Sequence, residues 1–208
     1  MKHTALFALI AGMILVVVSS NYLVQFPVQV TIGGYNLADI LTWGAFTYPA
    51  AFLVTDLTNR AYGPSKARIV VIVGFAFAVV LSAILAPVRI AIASGTAFLI
   101  AQLLDVFVFN QLREGRWWRA PMISSSLGSL IDTALFFSLA FAATFAMLGE
   151  SVPFLVENAS LLGLFAVETP RWVSLAMGDF VVKMLVALVM LVPYGLLRNV
   201  ISQTQQPA

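Results

Sequence analysis

Cysteine is absent, histidine occurs once at position 3, and charged residues make up only 10% of the 208-residue chain. Each scarcity excludes a class of chemistry. Without cysteine there are no disulfides, thiolate nucleophiles or thiolate metal ligands. A single terminal histidine removes most imidazole-based catalysis and most transition-metal sites. The shortage of charge excludes a soluble globular surface, since an average soluble domain carries about 25% charged residues. What the chain has instead is apolar: 61% hydrophobic residues and a mean hydropathy of +0.99. A membrane-spanning helix needs roughly 20 such residues, so about six fit. No length remains for a soluble catalytic domain. The net charge of +2 and pI of 9.2 do not point to nucleic acid. Membrane proteins hold an excess of Lys and Arg in their cytoplasmic loops.

The expected fold is all-α: a single integral membrane domain, 1–208, with six transmembrane helices at about 4–24, 40–58, 67–86, 89–112, 120–148 and 172–197. The first stretch also reads as a signal peptide cut after Val17-Val18-Ser19, but its apolar run continues through Tyr22, Leu23 and Val24, which favours a retained helix. Residues 25–38, with Pro27, Gly33 and Gly34, read as a loop or short hairpin. Asp39 is placed to cap the second helix, and Pro49 to kink it. Pro87 should end the third helix. A long connection, 149–171, carries Glu150, Glu157 and Glu168.

On this reading one side of the membrane collects Lys2, Arg60, Lys66, Arg68, Arg113, Arg116, Arg119 and Arg198, and the other only Arg89 and Arg171. That asymmetry places both termini in the cytoplasm. Trp43, Trp117, Trp118 and Trp172 fall near expected helix ends, where aromatic belts form. There is no internal repeat, and only the second helix has a proline break, which argues against an inverted-repeat carrier.

Ionisable groups at membrane depth are costly and therefore candidates for function. Asp132 lies 13 residues past Arg119, roughly 20 Å into the helix. It has no partner in its own helix and needs one across the bundle. Asp179 and Lys183 share a helix face at i, i+4 and read equally as a self-neutralising pair or as ligand contacts. Gln102 and Asp105, at i, i+3, read as a helix–helix clamp or as site residues. Asp56, Asn59 and Arg60 form a polar motif near the cytoplasmic side, with an interfacial Asp56–Arg60 ion pair as the plainest reading. Asn21 suits a helix–helix hydrogen bond as well as a ligand, and Arg89 suits an interfacial anchor. The small-residue pairs Gly74/Ala78 and Ser124/Gly128 suit close helix approach.

These residues do not assemble an enzyme. Ala176-Met177-Gly178-Asp179 lacks the first glycine of an intramembrane aspartyl-protease motif, no histidine is available as a base in the membrane, and the deep aspartates are scattered one per helix rather than clustered for a metal. One polar group per helix around a shared cavity suits a carrier.

Several segments then resemble a known family. They are Ser19-Ser20-Asn21-Tyr22-Leu23-Val24-Gln25, Thr42-Trp43-Gly44-Ala45-Phe46-Thr47-Tyr48-Pro49, and Phe52-Leu53-Val54-Thr55-Asp56-Leu57-Thr58. Tyr62-Gly63, Ala67-Arg68, Arg89-Ile90-Ala91, Gln102-Leu103-Leu104-Asp105-Val106 and Val108-Phe109-Asn110 continue the series. Arg116-Trp117-Trp118, Ala120-Pro121, Ile131-Asp132-Thr133 and the Asp179/Lys183 pair complete it. Together, over roughly four-fifths of the chain, they resemble the queuosine precursor transporter family, also described as vitamin uptake transporters. Phe107 stands where some members are associated with histidine, and residues 151–171 match nothing in the family.

The resemblance implies no enzyme, no cofactor and no metal. It implies import of 7-deazaguanine bases, such as 7-cyano- and 7-aminomethyl-7-deazaguanine, across the bacterial inner membrane for tRNA modification. It also implies a six-helix fold similar to the substrate-binding subunits of energy-coupling-factor transporters. The partners would be the base, the lipid bilayer and, if the chain is such a subunit, an ATP-driven module. The alternatives are import of another vitamin or nucleobase as such a subunit and, more remotely, a membrane-embedded enzyme. For a deazaguanine, Asp132 and Asp179 are candidates for the donor edge, and Gln102, Asn21 or Lys183 for the ring carbonyl. Trp43, Phe46 or Tyr48 would stack on the ring, and if the chain works alone as a secondary carrier, Asp105 or Asp132 would switch by protonation.

Overall fold

The computed structural model describes residues 2–33 and 35–203. It is helical almost throughout. Helix α1 (Lys2–Leu23) leads into a two-stranded hairpin, β1 (Thr31–Ile32) and β2 (Tyr35–Asn36), with Ile32 opposite Tyr35. Short helix α2 (Gly44–Thr47) and α3 (Ala50–Tyr62) follow. Then come α4 (Pro64–Leu85), α5 (Val88–Leu112) and α6 (Arg119–Phe141). Short helix α7 (Pro153–Val156), the hairpin β3 (Asn158–Ser160) and β4 (Glu168–Pro170), and the long α8 (Arg171–Gln203) complete the fold. The cap expected of Asp39 and the lone His3 involve side chains outside those described.

Among the described residues, five helices are long and apolar enough to cross a membrane: α1, α4, α5, α6 and α8. The expected second span is not one of them. The chain breaks between α2 and α3 at Tyr48-Pro49, where proline has no N–H to continue the ladder. The 13 residues of α3 reach only about 20 Å, less than the roughly 30 Å hydrocarbon layer.

The fifth span is also shorter than expected. Ala142 turns extended after Phe141, and residues 143–148 form a separate tight turn. Arg89, expected as an interfacial anchor but only 3% exposed, lies against this end. Its guanidinium donates to the carbonyls of Leu139, Ala142 and Gly149, satisfying acceptors that the end of the helix and the turn leave open. Other boundaries follow their local signals. Gly63 adopts φ 80° and Pro64 starts α4. Ala86, before Pro87, is extended and ends it.

α3 is the hub of the bundle. It packs against α1, α4, α5, α6 and α8, which follow one another around it as α1–α4–α5–α6–α8, with α2 between α8 and α1. Close approaches tighten this ring. A Cβ on Gly128 of α6 would lie 2.6 Å from the Phe52 ring of α3, and one on Gly178 of α8 would lie 2.5 Å from the Ile40 carbonyl oxygen. Small residues at these points let the elements meet.

The polarity of the bundle is inverted relative to a soluble protein. Large apolar side chains face outward, with Phe7, Leu15, Ile84, Val88 and Leu196 all more than two-thirds exposed. Asp56, Asn59, Gln102, Asp105, Asp132 and Lys183 are buried. Lipid supplies the outer apolar contacts, and a charged side chain is stable only where protein surrounds it.

Candidate functional site

A cavity of about 230 Å³ lies along the axis of the bundle where the central helix is interrupted. Its floor is formed by Gly44, Ala45 and Tyr48, at the break between α2 and α3. Its walls come from the end of α1 (Ser20, Asn21), the start of α5 (Ser94, Ala97), the second half of α6 (Asp132, Phe136, Phe137, Phe141) and the start of α8 (Leu175, Asp179, Lys183). Leu155 of α7 adds a lining residue from segment 149–171. The architecture produces the cavity directly: the hub helix is too short to fill the axis, and five surrounding elements enclose the vacant half.

One wall holds an ionic cluster. Lys183 Nζ donates to Asp132 Oδ2 at 2.7 Å and lies 2.6 Å from Asp179 Oδ2. Its third contact is Thr133 Oγ1 at 3.3 Å. Thr133 in turn donates to Asp179 Oδ2 at 2.8 Å, and the Tyr48 hydroxyl donates to Asp132 Oδ1 at 3.1 Å. The Lys183 ammonium also lies 5.1 Å from the centre of the Tyr48 ring, within cation–π range. All three ammonium protons are engaged, as are both Asp132 oxygens. Among the described residues, Asp179 Oδ1 accepts no hydrogen bond. With both carboxylates ionised, two share one ammonium and the cluster carries one negative charge in excess.

The opposite wall is neutral. Asn21 donates to the Val17 carbonyl and accepts from Ser82, and Ser20 donates to Thr47. Phe136, Phe137 and Phe141 form a tilted and edge-on aromatic group beside the cluster.

Five of the sequence candidates therefore line one cavity: Asn21, Tyr48, Asp132, Asp179 and Lys183. Four lie elsewhere. Trp43 and Phe46 pack on each other, 5.6 Å apart, and are 46% and 37% exposed. Gln102 and Asp105 are fully buried between α5 and its neighbours, outside the cavity lining, and Gln102 accepts a 2.6 Å hydrogen bond from Thr55. The Asp56–Arg60 ion pair does not form. Asp56 accepts from Ser124 and Ser125, while Arg60 donates to the Tyr194 hydroxyl and the Arg113 carbonyl. Asn59 donates to the Val106 carbonyl.

The sequence reading missed Ser20, Ser94 and the three phenylalanines of α6. The phenylalanines had a signal, lying one to three turns beyond Asp132 on the same helix. Leu155 had none, because nothing local ties α7 to α8.

A family model described as "Putative vitamin uptake transporter" matches residues 42–88 and 82–197. The chain is 33% identical to a protein named "Probable queuosine precursor transporter" from Haemophilus influenzae, over 99% of this chain and 91% of that one. It is 34% identical to the "Queuosine precursor transporter" of Escherichia coli K12, over 96% of this chain and 89% of that one. A Bacillus subtilis protein named "Probable queuosine precursor transporter" is 25% identical over 74% of this chain and 69% of that one. No solved structure matches significantly.

Proposed function

The chain belongs to the vitamin uptake transporter family, and from that premise we propose that it imports queuosine precursors of the 7-deazaguanine type, holding the base in the axial cavity. It is a multi-pass protein of the bacterial inner membrane and a transporter rather than an enzyme. Its partners include a small-molecule substrate and the bilayer.

The observation that carries the substrate reading is the open Oδ1 of Asp179 beside an anionic cluster and an aromatic wall. A guanine-like edge offers a ring N–H and an exocyclic amine. A carboxylate oxygen left without a donor in a mostly apolar cavity accepts such groups strongly. The excess negative charge suits the cation of an aminomethyl precursor. Phe136, Phe137 and Tyr48 supply flat apolar surface for the ring. The Ser94 hydroxyl and the second amide proton of Asn21 stand as donors for the ring carbonyl. Known small-molecule pockets span roughly 300–1,000 Å³, so a cavity of about 230 Å³ suits one fused heterocycle better than a nucleoside.

Lys183 holds Asp132 and Asp179 in place and keeps two buried carboxylates from repelling one another. Asp179 is the half-open member, with its side chain 17% exposed against 6% for Asp132. It therefore makes the first contact with the base, and Asp132 sets the position of Tyr48 and Lys183.

The test uses cells unable to synthesise the precursor and lacking their own importer, given a low external concentration of 7-cyano- or 7-aminomethyl-7-deazaguanine. Expression of this chain should restore queuosine in tRNA. Asp179→Asn should weaken uptake by about ten- to a hundredfold, the loss expected for a charge-assisted hydrogen bond. Absence of queuosine, with the protein present in the membrane, rejects the substrate. Running the same cells with and without an energy-coupling module decides whether the chain works alone or as its binding subunit.

A further inference from the structure

Away from the cavity, toward the end of the bundle where α3 stops and α6 begins, two more aspartates meet. Asp56 of α3 and Asp105 of α5 face each other, 2% and 0% exposed. The Ser124 and Ser125 hydroxyls of α6 each reach Asp56 at 3.3 Å, one to each oxygen. Neither Asp105 oxygen accepts a well-formed hydrogen bond from the described residues, although both are wholly buried; its polar neighbours are Asp56 and Ser124. No salt bridge among the described residues includes either aspartate, and the nearby Arg60 is turned to Tyr194 of α8 and to the Arg113 carbonyl. The groups around the pair are thus Ser124 and Ser125 from α6, Tyr194 from α8, and Arg60 from the turn below. A void of about 10 Å³, room for one water, lies on the α8 side of Asp56, lined by Ser125 and Tyr194 but by neither Asp105 nor Ser124.

Two like charges buried face to face without a cation are unstable, so a positive charge from outside the chain must join them. The ligand atoms are carboxylate and hydroxyl oxygens, a set that selects hard cations. Calcium needs six to eight oxygens and magnesium keeps several waters, more than two carboxylates and two hydroxyls in a closed, buried setting provide. We propose that Asp56 and Asp105, with the hydroxyls of Ser124 and Ser125, bind one monovalent cation, a sodium ion or a proton, at a site separate from the substrate cavity.

The site is linked to the cavity by the fold. Ser125 and Asp132 lie on the same helix seven residues apart, about 10 Å along its axis. Ser129 lies between them on α6 with its Oγ buried and unpartnered, and Thr55, next to Asp56 on α3, donates to Gln102, whose Nε2 is also buried and unpartnered. α3 likewise joins Asp56 to the break that floors the cavity. A change in α6 or α3 on ion binding therefore reaches both sites. That the cation serves as a coupling ion rests on the transport reading. The binding site itself does not.

The experiment uses the full-length purified protein in lipid nanodiscs, without organic substrate. One arm measures equilibrium binding of radioactive sodium, with choline replacing sodium as the control. The other records the infrared stretch of protonated carboxyl groups across pH. Saturable binding of one sodium per chain, weakened at least about tenfold by Asp56→Asn and Asp105→Asn but not by the exposed Glu157→Gln, establishes the sodium form. No sodium binding, together with a protonated-carboxyl band removed by both Asn substitutions, establishes the proton form. Should an Asn variant not fold, Asp105→Glu keeps the charge and displaces the carboxyl, and it must alter the same sodium affinity or band. Neither signal in the wild-type protein, or signals indifferent to these substitutions, overturns the proposal. Because no base is present, that failure leaves the substrate reading untouched.

Discussion

Lys183 shows how much depends on a single side chain in this protein. Its ammonium bridges Asp132 and Asp179 and is nearly fully buried. Removing one partner of a buried ionic group leaves uncompensated charge and costs roughly 3–5 kcal/mol. Lys183→Met should therefore lower the folded yield and thermal midpoint of the purified protein strongly. Lys183→Met combined with Asp132→Asn should recover part of that loss, because the charge left behind is removed as well. Equal destabilisation in the single and double variants would mean that the bridge to Asp132 does not carry the stability. The i, i+4 spacing of Asp179 and Lys183 was legible in the sequence, and the pair forms. That Lys183 also reaches Asp132, 51 residues earlier, was not, because only the packing of α6 on α8 creates that contact.

Among the elements, α3 and α6 decide the architecture. Pro49 was visible as a kink, but a kinked spanning helix and a short hub helix have the same local sequence. The difference arises because five neighbours surround α3 and bury Thr55, Asp56, Thr58 and Asn59, polar groups that lipid would reject. Gly128 is where α6 meets that hub. Gly128→Val should destabilise the protein by about 1–3 kcal/mol, since its added carbons meet the Phe52 ring, and a thermal-shift assay in detergent reads the effect. The end of α6 depends on a distant side chain. Arg89→Lys replaces a three-way fork with a single ammonium and leaves buried carbonyls without donors, at about 1–3 kcal/mol for each. Faster amide exchange at residues 139–149 would mark the loosened turn, and unchanged exchange there would show that the turn holds itself.

At the scale of the whole molecule, the charge asymmetry makes a prediction about orientation. If both termini lie inside, α2 and α3 together must carry the chain back between α1 and α4, the connection before α4 would face the cytoplasm and the β3–β4 hairpin would face outward. The natural absence of cysteine makes the check direct. In intact cells a membrane-impermeant thiol reagent should label Ser160→Cys and leave Ser65→Cys unlabelled until the cells are opened. The reverse pattern would invert the assignment. Both serines are exposed, so labelling reports sidedness rather than burial.

The sequence by itself determined the solvent of this protein. Too few charges and long apolar runs require lipid, and that requirement is a property of composition, independent of how the chain packs. It also singled out the polar residues that are costly in lipid, because the cost of a buried charge attaches to Asp132 or Lys183 wherever the helix sits. The tertiary structure decided which of those residues belong together. Asp132, Asp179 and Lys183 gather on one cavity, whereas Asp105, equally acidic and also at membrane depth by sequence, turns to Asp56. Sequence spacing fixes faces along one helix only. The partners of each face are chosen by the ring of helices around a short central one, through contacts between residues as much as 134 positions apart, as in Arg60 and Tyr194.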